Sequence, residues 1–327
     1  MHIPDNYLSP TTCATLGVVM LPVWKRASHK VKAEITRKKM PLLGVAAAFS
    51  FLIMMFNVPL PGGTTGHAIG GALAAILLGP YSAVFAVTIA LVIQALFFGD
   101  GGILAIGVNC FNMAFIMPFT AFYIFRLIKS LFKNEKGEYI GAFLAGYLSV
   151  NLAALFAAIE FGIQPLLFRD SAGLPLYSPY GLAISIPAMM IPHLLVVGIL
   201  EGIITVGAYS YVKKASPEVI YEGTTKKINY LYIIIGILIL ATPLGLIATG
   251  TAWGEWGTDE IYKLLGFVPK GMENGFQFNS PISDYNFKFL NEHLSYILSA
   301  LSGVILILLI FRLLAKIYFK TNIKENR

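Results

Sequence analysis

Nine apolar runs separated by polar turns constrain this chain more than any other feature. They read as Thr11 to Trp24, Pro41 to Val58, His67 to Leu78, Tyr81 to Phe98, Ile103 to Phe125, Tyr139 to Phe168, Ala183 to Val212, Ile228 to Gly250 and Leu294 to Tyr318, the first and third being short. Most can cross the roughly 30 Å of hydrocarbon in a bilayer as a helix. Lipid offers no partner to backbone N–H and C=O groups, so such runs must satisfy their own hydrogen bonds. With 57% hydrophobic residues, 13% charged residues and a mean hydropathy of +0.73, a soluble fold of this length would lack a wettable surface. The expected fold class is therefore all-α, a polytopic membrane bundle of about nine transmembrane helices.

The basic residues give an expected orientation, because short cytoplasmic loops accumulate them. Lys25, Arg26, Lys30, Lys32, Arg37, Lys38 and Lys39 crowd the first loop, which places it in the cytoplasm and Met1 outside. Counting forward, Arg126, Lys129, Lys133 and Lys136 fall inside, as do Lys213, Lys214, Lys226 and Lys227, and so does the tail at Lys316, Lys320, Lys324 and Arg327. Arg169 is a lone outer exception in a short loop, and Lys263, Lys270 and Lys288 are scattered among acids in a long outer loop, where the rule has least force. The net charge of +7 follows largely from this asymmetry and does not point to nucleic acid. Met1 to Pro10 has no basic stretch ahead of an apolar one, so no secretory signal is expected. The charged stretch Lys213 to Lys227 marks the expected boundary between a seven-helix domain, residues 1–214, and a two-helix accessory domain, residues 215–327. The latter carries a long outer loop from about Thr251 to Glu292.

Met1 and His2 form a chelating pair if the amino terminus is free. The α-amine, the deprotonated His2 backbone nitrogen and the His2 ring Nδ1 close a five- and a six-membered ring, placing three nitrogens in one plane. Such a set suits Ni(II), Cu(II) or low-spin Co(II) better than tetrahedral Zn(II) or oxygen-seeking Mg(II). It needs one more imidazole, and His67 is a candidate at the outer end of the third run, on the same face as the tail. The preceding PLPGGTTGH permits a tight re-entrant turn and a close backbone approach.

Gln94, Asn109, Asn112, Glu160 and His193 also gather toward the outer halves of their runs. Polar groups in hydrocarbon either face a chamber or bond to a neighbouring helix. Glu201 lies deeper and is expected to pair with a helix neighbour. Cys13 and Cys110 read as small buried residues, while His29 and His293 read as bystanders. Gly66, Gly70 and Ala74 form a small-residue face on the third run. No GxxxxGK[ST] loop occurs, so the chain supplies no Walker-type ATPase, and no HExxH occurs to suggest a zinc protease.

MHIPD at Met1 to Asp5 with Leu8-Ser9-Pro10, PGGTTGH at Pro61 to His67, FGDGG at Phe98 to Gly102 and NCFNM at Asn109 to Met113 carry a resemblance. Together they resemble the cobalt/nickel substrate-capture component of energy-coupling factor importers (CbiM/NikM type), over about Met1 to Lys214. Ala241 to Gly257, ATPLGLIATGTAWGEWG, resembles the accessory two-span component that some members carry fused at the carboxyl end. The resemblance implies a prokaryotic cell membrane protein with no enzymatic activity of its own. It implies Ni2+ or Co2+ as transported substrate, held in a square plane by Met1, His2 and His67. Gln94, Asn109 and Asn112 would orient His67 or tie down the loop around these ligands. It also implies a separate transmembrane coupling protein and a cytoplasmic ATPase pair as partners. Asn6 departs from the family, where glycine is common, and bears on how the tail packs. Nickel is favoured over cobalt by its square-planar preference. A stand-alone proton-coupled transporter with Glu160, Glu201 and His193 as its relay is the alternative from another class. An intramembrane enzyme using His193 and Glu160 lacks a paired nucleophile.

Overall fold

Helices account for nearly all the regular structure in the computed structural model, which describes residues 1–34, 39–222 and 228–325. Arg37, Lys38, Lys226, Lys227 and Arg327 of the basic clusters lie outside the described residues. Among the described residues six helices are long and apolar enough to cross a membrane: α4 (Pro80–Phe98), α5 (Ile106–Phe132), α6 (Glu135–Leu167), α7 (Leu182–Ala215), α9 (Ile228–Ile247) and the bulk of α12 (Glu292–Glu325). Around them stand α1 (Pro10–Glu34), the shorter apolar α2 (Lys39–Met54), the eight-residue α3 (Gly71–Leu78) and the small α8 (Pro217–Glu222). In the loop between α9 and α12 lie α10 (Thr258–Leu265) and α11 (Lys270–Glu273).

The apolar runs coincide with helices, but of the nine expected spans only six are long and apolar enough to cross a membrane among the described residues, and two runs differ in shape. The first run extends as α1 through Lys25 to Glu34, because nothing in that basic stretch breaks a helix. The third run is helical only from Gly71. Ahead of it Val58–Leu60 pairs antiparallel with Thr64–Gly66, and Gly62 and Gly63 turn the hairpin with φ of 91° and 77°. Those left-handed values are open to glycine at no steric cost, which is why the chain can re-enter so abruptly before His67.

The short α3 is enclosed by α4, α5, α6 and α7, while α1 packs on α4 and α5. The carboxyl-terminal helices α9 and α12 both lean on α2. Cys13 and Cys110 are buried free thiols. At the end of the bundle away from the tail, Lys129 and Lys213 close on Glu138 at 2.7 and 2.8 Å, with Lys213 also 3.1 Å from Glu135.

Three long helices widen into π-turns, at Gln94–Phe98, Cys110–Ile116 and His193–Val197. Each inserts an extra residue into the helical turn, a distortion that often accompanies functional sites. Gln94, Asn112 and His193 all lie on these turns.

Candidate metal site

The amino-terminal tail folds back into the bundle and is held along its length. Ile3 donates its backbone N–H to Asn109 Oδ1 at 2.8 Å, and its carbonyl accepts from Asn109 Nδ2 at 3.0 Å and from the Gly102 N–H at 2.9 Å. The Asp5 carboxylate accepts from the Ile103 and Leu104 amides at 2.9 and 2.7 Å, fixing the tail to the turn before α5. Ser9 donates its backbone N–H to Gln164 Oε1 at 3.0 Å. Gly102 has no side chain because a Cβ there would overlap the Asp5 backbone nitrogen and carboxylate. Asn6 takes a left-handed φ of 69°, a conformation that glycine adopts freely and asparagine tolerates. Its carboxamide exchanges two hydrogen bonds with the Phe276 backbone, at 2.8 and 2.9 Å. The departure at Asn6 therefore keeps the backbone conformation and gains a tie to the carboxyl-terminal loop.

This packing brings Met1, His2 and His67 together. They are 8%, 2% and 8% exposed, and the two imidazole rings stand 5.1 Å apart between centroids. His67 Nδ1 lies 3.0 Å from the Ala68 carbonyl, an acceptor only. The ring proton is thereby assigned to Nδ1, and Nε2 keeps a free lone pair. His2 Nδ1 lies 3.1 Å from Asp100 Oδ1. Burial, then the positive amino terminus, pushes the His2 imidazole down to about 4, against smaller opposing effects of Glu255 and Gln94. The ring is thus neutral near pH 7 and donates from Nδ1 to Asp100. The Met1 amine is 3.2 Å from Glu255 Oε1.

Sequence reasoning missed several of the groups that surround these atoms. Asp100 Oδ2 accepts from the Tyr285 hydroxyl at 2.6 Å and from Gln94 Nε2 at 3.1 Å. Burial, with Asp100 alongside, raises the Tyr285 phenol well above its ordinary range and keeps it a donor. Glu255 and Tyr285 both come from the loop between α9 and α12. In the same loop Trp253 and Trp256 meet edge to face at 5.7 Å, and Trp253 also packs on Phe161 and Tyr180. Tyr7 joins this aromatic cover through Phe161 and donates its hydroxyl to the Trp256 carbonyl at 2.6 Å. Asp100 had a signal in its glycine-flanked turn, and Glu255 in its Trp-Gly-Glu-Trp setting. Nothing nearby in the sequence marks Tyr285.

The polar residues within the helices divide. Asn109 pins the tail at Ile3, and Gln94 braces Asp100 while its Oε1, like His2 Nε2, is buried with no close hydrogen-bond partner among the described residues. Asn112 instead donates to Glu160 Oε2 at 2.6 Å and bonds to neither histidine. His193 donates Nδ1 to the Met189 carbonyl at 2.7 Å. Glu201 accepts from the Ile69 and Gly70 backbone amides rather than from a helix neighbour's side chain. No hydrogen bond links Glu160, His193 and Glu201 to one another among the described residues.

The described residues contain no cluster of three or more His, Cys, Asp or Glu side chains able to hold an ion. Two imidazoles alone would bind weakly. The amine and the first peptide nitrogen lie beside them, so the tail backbone can supply the remaining donors to a metal that accepts a plane of nitrogens.

The chain is similar to known proteins over nearly its whole length. Residues 2–219 match the family of the cobalt uptake substrate-specific transmembrane region (CbiM), and residues 228–320 match the PDGLE domain. A probable fused nickel transport protein, LarMN of Lactiplantibacillus plantarum, is 47% identical over 95% of this chain and 97% of its own. The fused nickel transport protein NikMN of Rhodobacter capsulatus is 44% identical over 94% of this chain and 95% of its own. A solved structure described as a truncated transition metal transporter is 53% identical, with a TM-score of 0.62, over 65% of this chain and 99% of its own. The chain accordingly belongs to the CbiM family of cobalt uptake substrate-specific transmembrane proteins, with a PDGLE domain behind it, and is a multi-pass protein of a prokaryotic membrane.

Proposed function

We propose that this protein is the substrate-binding membrane subunit of an ATP-driven energy-coupling factor importer for Ni(II), with Co(II) as the other substrate the site accepts. The ion is held by the Met1 amine, the His2 backbone nitrogen, His2 Nδ1 and His67. The observation that carries this reading is the buried tail, which brings the chelating end of the chain beside the His67 ring at 5.1 Å from the His2 ring. The fixed His67 tautomer supports Nε2 as its donor atom. Capture through His2 Nδ1 requires that nitrogen to leave Asp100 and give up its proton. Glu255 must likewise release the amine.

The nickel assignment draws on the fused nickel transport relatives and on the square-planar preference of the nitrogen set. An amino terminus outside and a carboxyl terminus in the cytoplasm put this site on the uptake side, as the basic-residue asymmetry favours. The chain divides into a capture domain, residues 1–214, and an accessory domain, residues 215–327, a division supported by the two family matches. Energy comes from partners, a transmembrane coupling protein and an ATPase pair, because the sequence holds no phosphate-binding loop. The separate bonding of Glu160, His193 and Glu201 gives no support to a proton relay.

Metal content and the visible spectrum of the purified chain test the reading, with one nickel and a square-planar spectrum expected. Because the amine and the peptide nitrogen must lose protons to bind, occupancy is expected to fall as pH is lowered. Equilibrium dialysis at stepped pH checks this, and an occupancy that stays level from about pH 8 to about pH 5 would exclude peptide-nitrogen ligation. Uptake into liposomes should require the ATPase subunits; uptake by this chain alone under a pH gradient would favour the secondary transporter.

A further inference from the structure

Glu201 is fully buried on α7, with both carboxylate oxygens turned to the chain just beyond His67. Oε2 accepts the Ile69 N–H at 2.6 Å, and Oε1 and Oε2 lie 3.0 and 3.2 Å from the Gly70 nitrogen. Both amides converge on the one carboxylate, and directly after them Gly70 is left-handed, with φ of 73° and ψ of 1°, so the chain turns sharply into α3. Successive N–H groups in such a bend form a concavity for an anionic oxygen. On the other side of the same segment, the Ser50 hydroxyl on α2 donates to the Ile69 carbonyl at 2.7 Å. Residues 69 and 70 are thus held from α2 and α7 together.

This clamp acts on His67 through the intervening peptide. His67 is bonded to the Ala68 carbonyl, so the position of residue 68 fixes both the ring proton and the direction of Nε2. The segment before His67 is a hairpin with a glycine turn, tied to the carboxyl-terminal loop where the Thr64 hydroxyl donates to the Thr251 carbonyl at 3.0 Å. The segment after it is held by a carboxylate on a long helix.

We propose that Glu201 is a positioning residue for metal capture: its carboxylate holds the Ile69 and Gly70 amides and thereby sets His67 in the plane of the tail nitrogens. This rests on the assignment of His67 as a ligand. Glutamine in place of Glu201 is nearly isosteric, but its amide nitrogen can only present N–H groups to one of the two backbone donors. Aspartate retains the charge but is one methylene shorter, so it reaches the amides less well.

The test compares nickel affinity and visible spectrum in the detergent-purified full chain and in its Glu201→Gln, Glu201→Asp and His67→Ala variants. Thermal unfolding is followed in parallel. Nickel binding to the wild type and its loss in His67→Ala validate the ligand assignment separately. Given that, Glu201→Gln is expected to bind nickel roughly 10- to 100-fold more weakly, the usual cost of losing an outer-shell partner, with a shifted or broadened band. Glu201→Asp is expected to fall between the two. If Glu201→Gln does not fold, Glu201→Asp carries the test alone. Variants that unfold at lower temperature yet bind nickel with the wild-type affinity and spectrum would overturn the proposal and leave Glu201 a purely structural role. Unchanged binding with loss of uptake driven by a pH gradient would overturn it in favour of a proton relay.

Discussion

A His67→Ala chain, purified beside the wild type and dialysed against nickel, is expected to retain no stoichiometric metal. His67 is the one proposed ligand that does not come from the tail, so its loss opens one corner of the nitrogen plane. The effect should exceed the roughly 10- to 100-fold typical of outer-shell substitutions. Stability should change far less, because among the described residues the ring bonds only to its own neighbour, Ala68. His2→Ala should be as severe, because it removes the ring that closes the second chelate. One bound nickel with a wild-type spectrum in either variant would remove that histidine from the site.

Extending the chain by two residues ahead of Met1 is expected to be equally damaging without altering any residue of the fold. The amine that now sits beside Glu255 would become an ordinary amide, and the added residues would have to fit where Met1 is already buried. Two residues make a better test than one. A single added residue would present an amine, two peptide nitrogens and His2 Nδ1, a four-nitrogen set that can bind nickel without His67. Metal analysis of the extended chain, after removal of loosely bound ions on a chelating resin, reads the result. Stoichiometric nickel that still depends on His67 would show that the amine is not a ligand.

Hydropathy made the long helices legible, because in lipid a long apolar run has few other ways to satisfy its backbone. It did not reveal the π-turns at Gln94, Cys110 and His193, which arise from packing between helices and leave no periodic trace. The juxtaposition of Met1, His2 and His67 was legible because the chemistry proposed for them depends on residue type and chain position. The contacts from the long loop were not. Glu255 reaches Met1 across 254 positions and Tyr285 reaches Asp100 across 185, and no local pattern records a pairing at such separations. Asn112 shows the converse limit. Its spacing from Asn109 puts it in the same neighbourhood, yet a buried carboxylate, Glu160, claims its amide.

The contact between Met1 and Glu255 joins residues 254 positions apart. During synthesis Met1 therefore precedes its partner Glu255 by 254 residues. Until then the tail is held by earlier partners, Asp100 at His2, Asn109 and Gly102 at Ile3, and the Ile103 and Leu104 amides at Asp5, and Gln164 joins later. A nascent chain would pass through a stage in which α1 to α7 are complete but the loop that covers the proposed nitrogen donors is still missing. Metal availability during biogenesis, and not only in the mature protein, is then a variable that this architecture exposes.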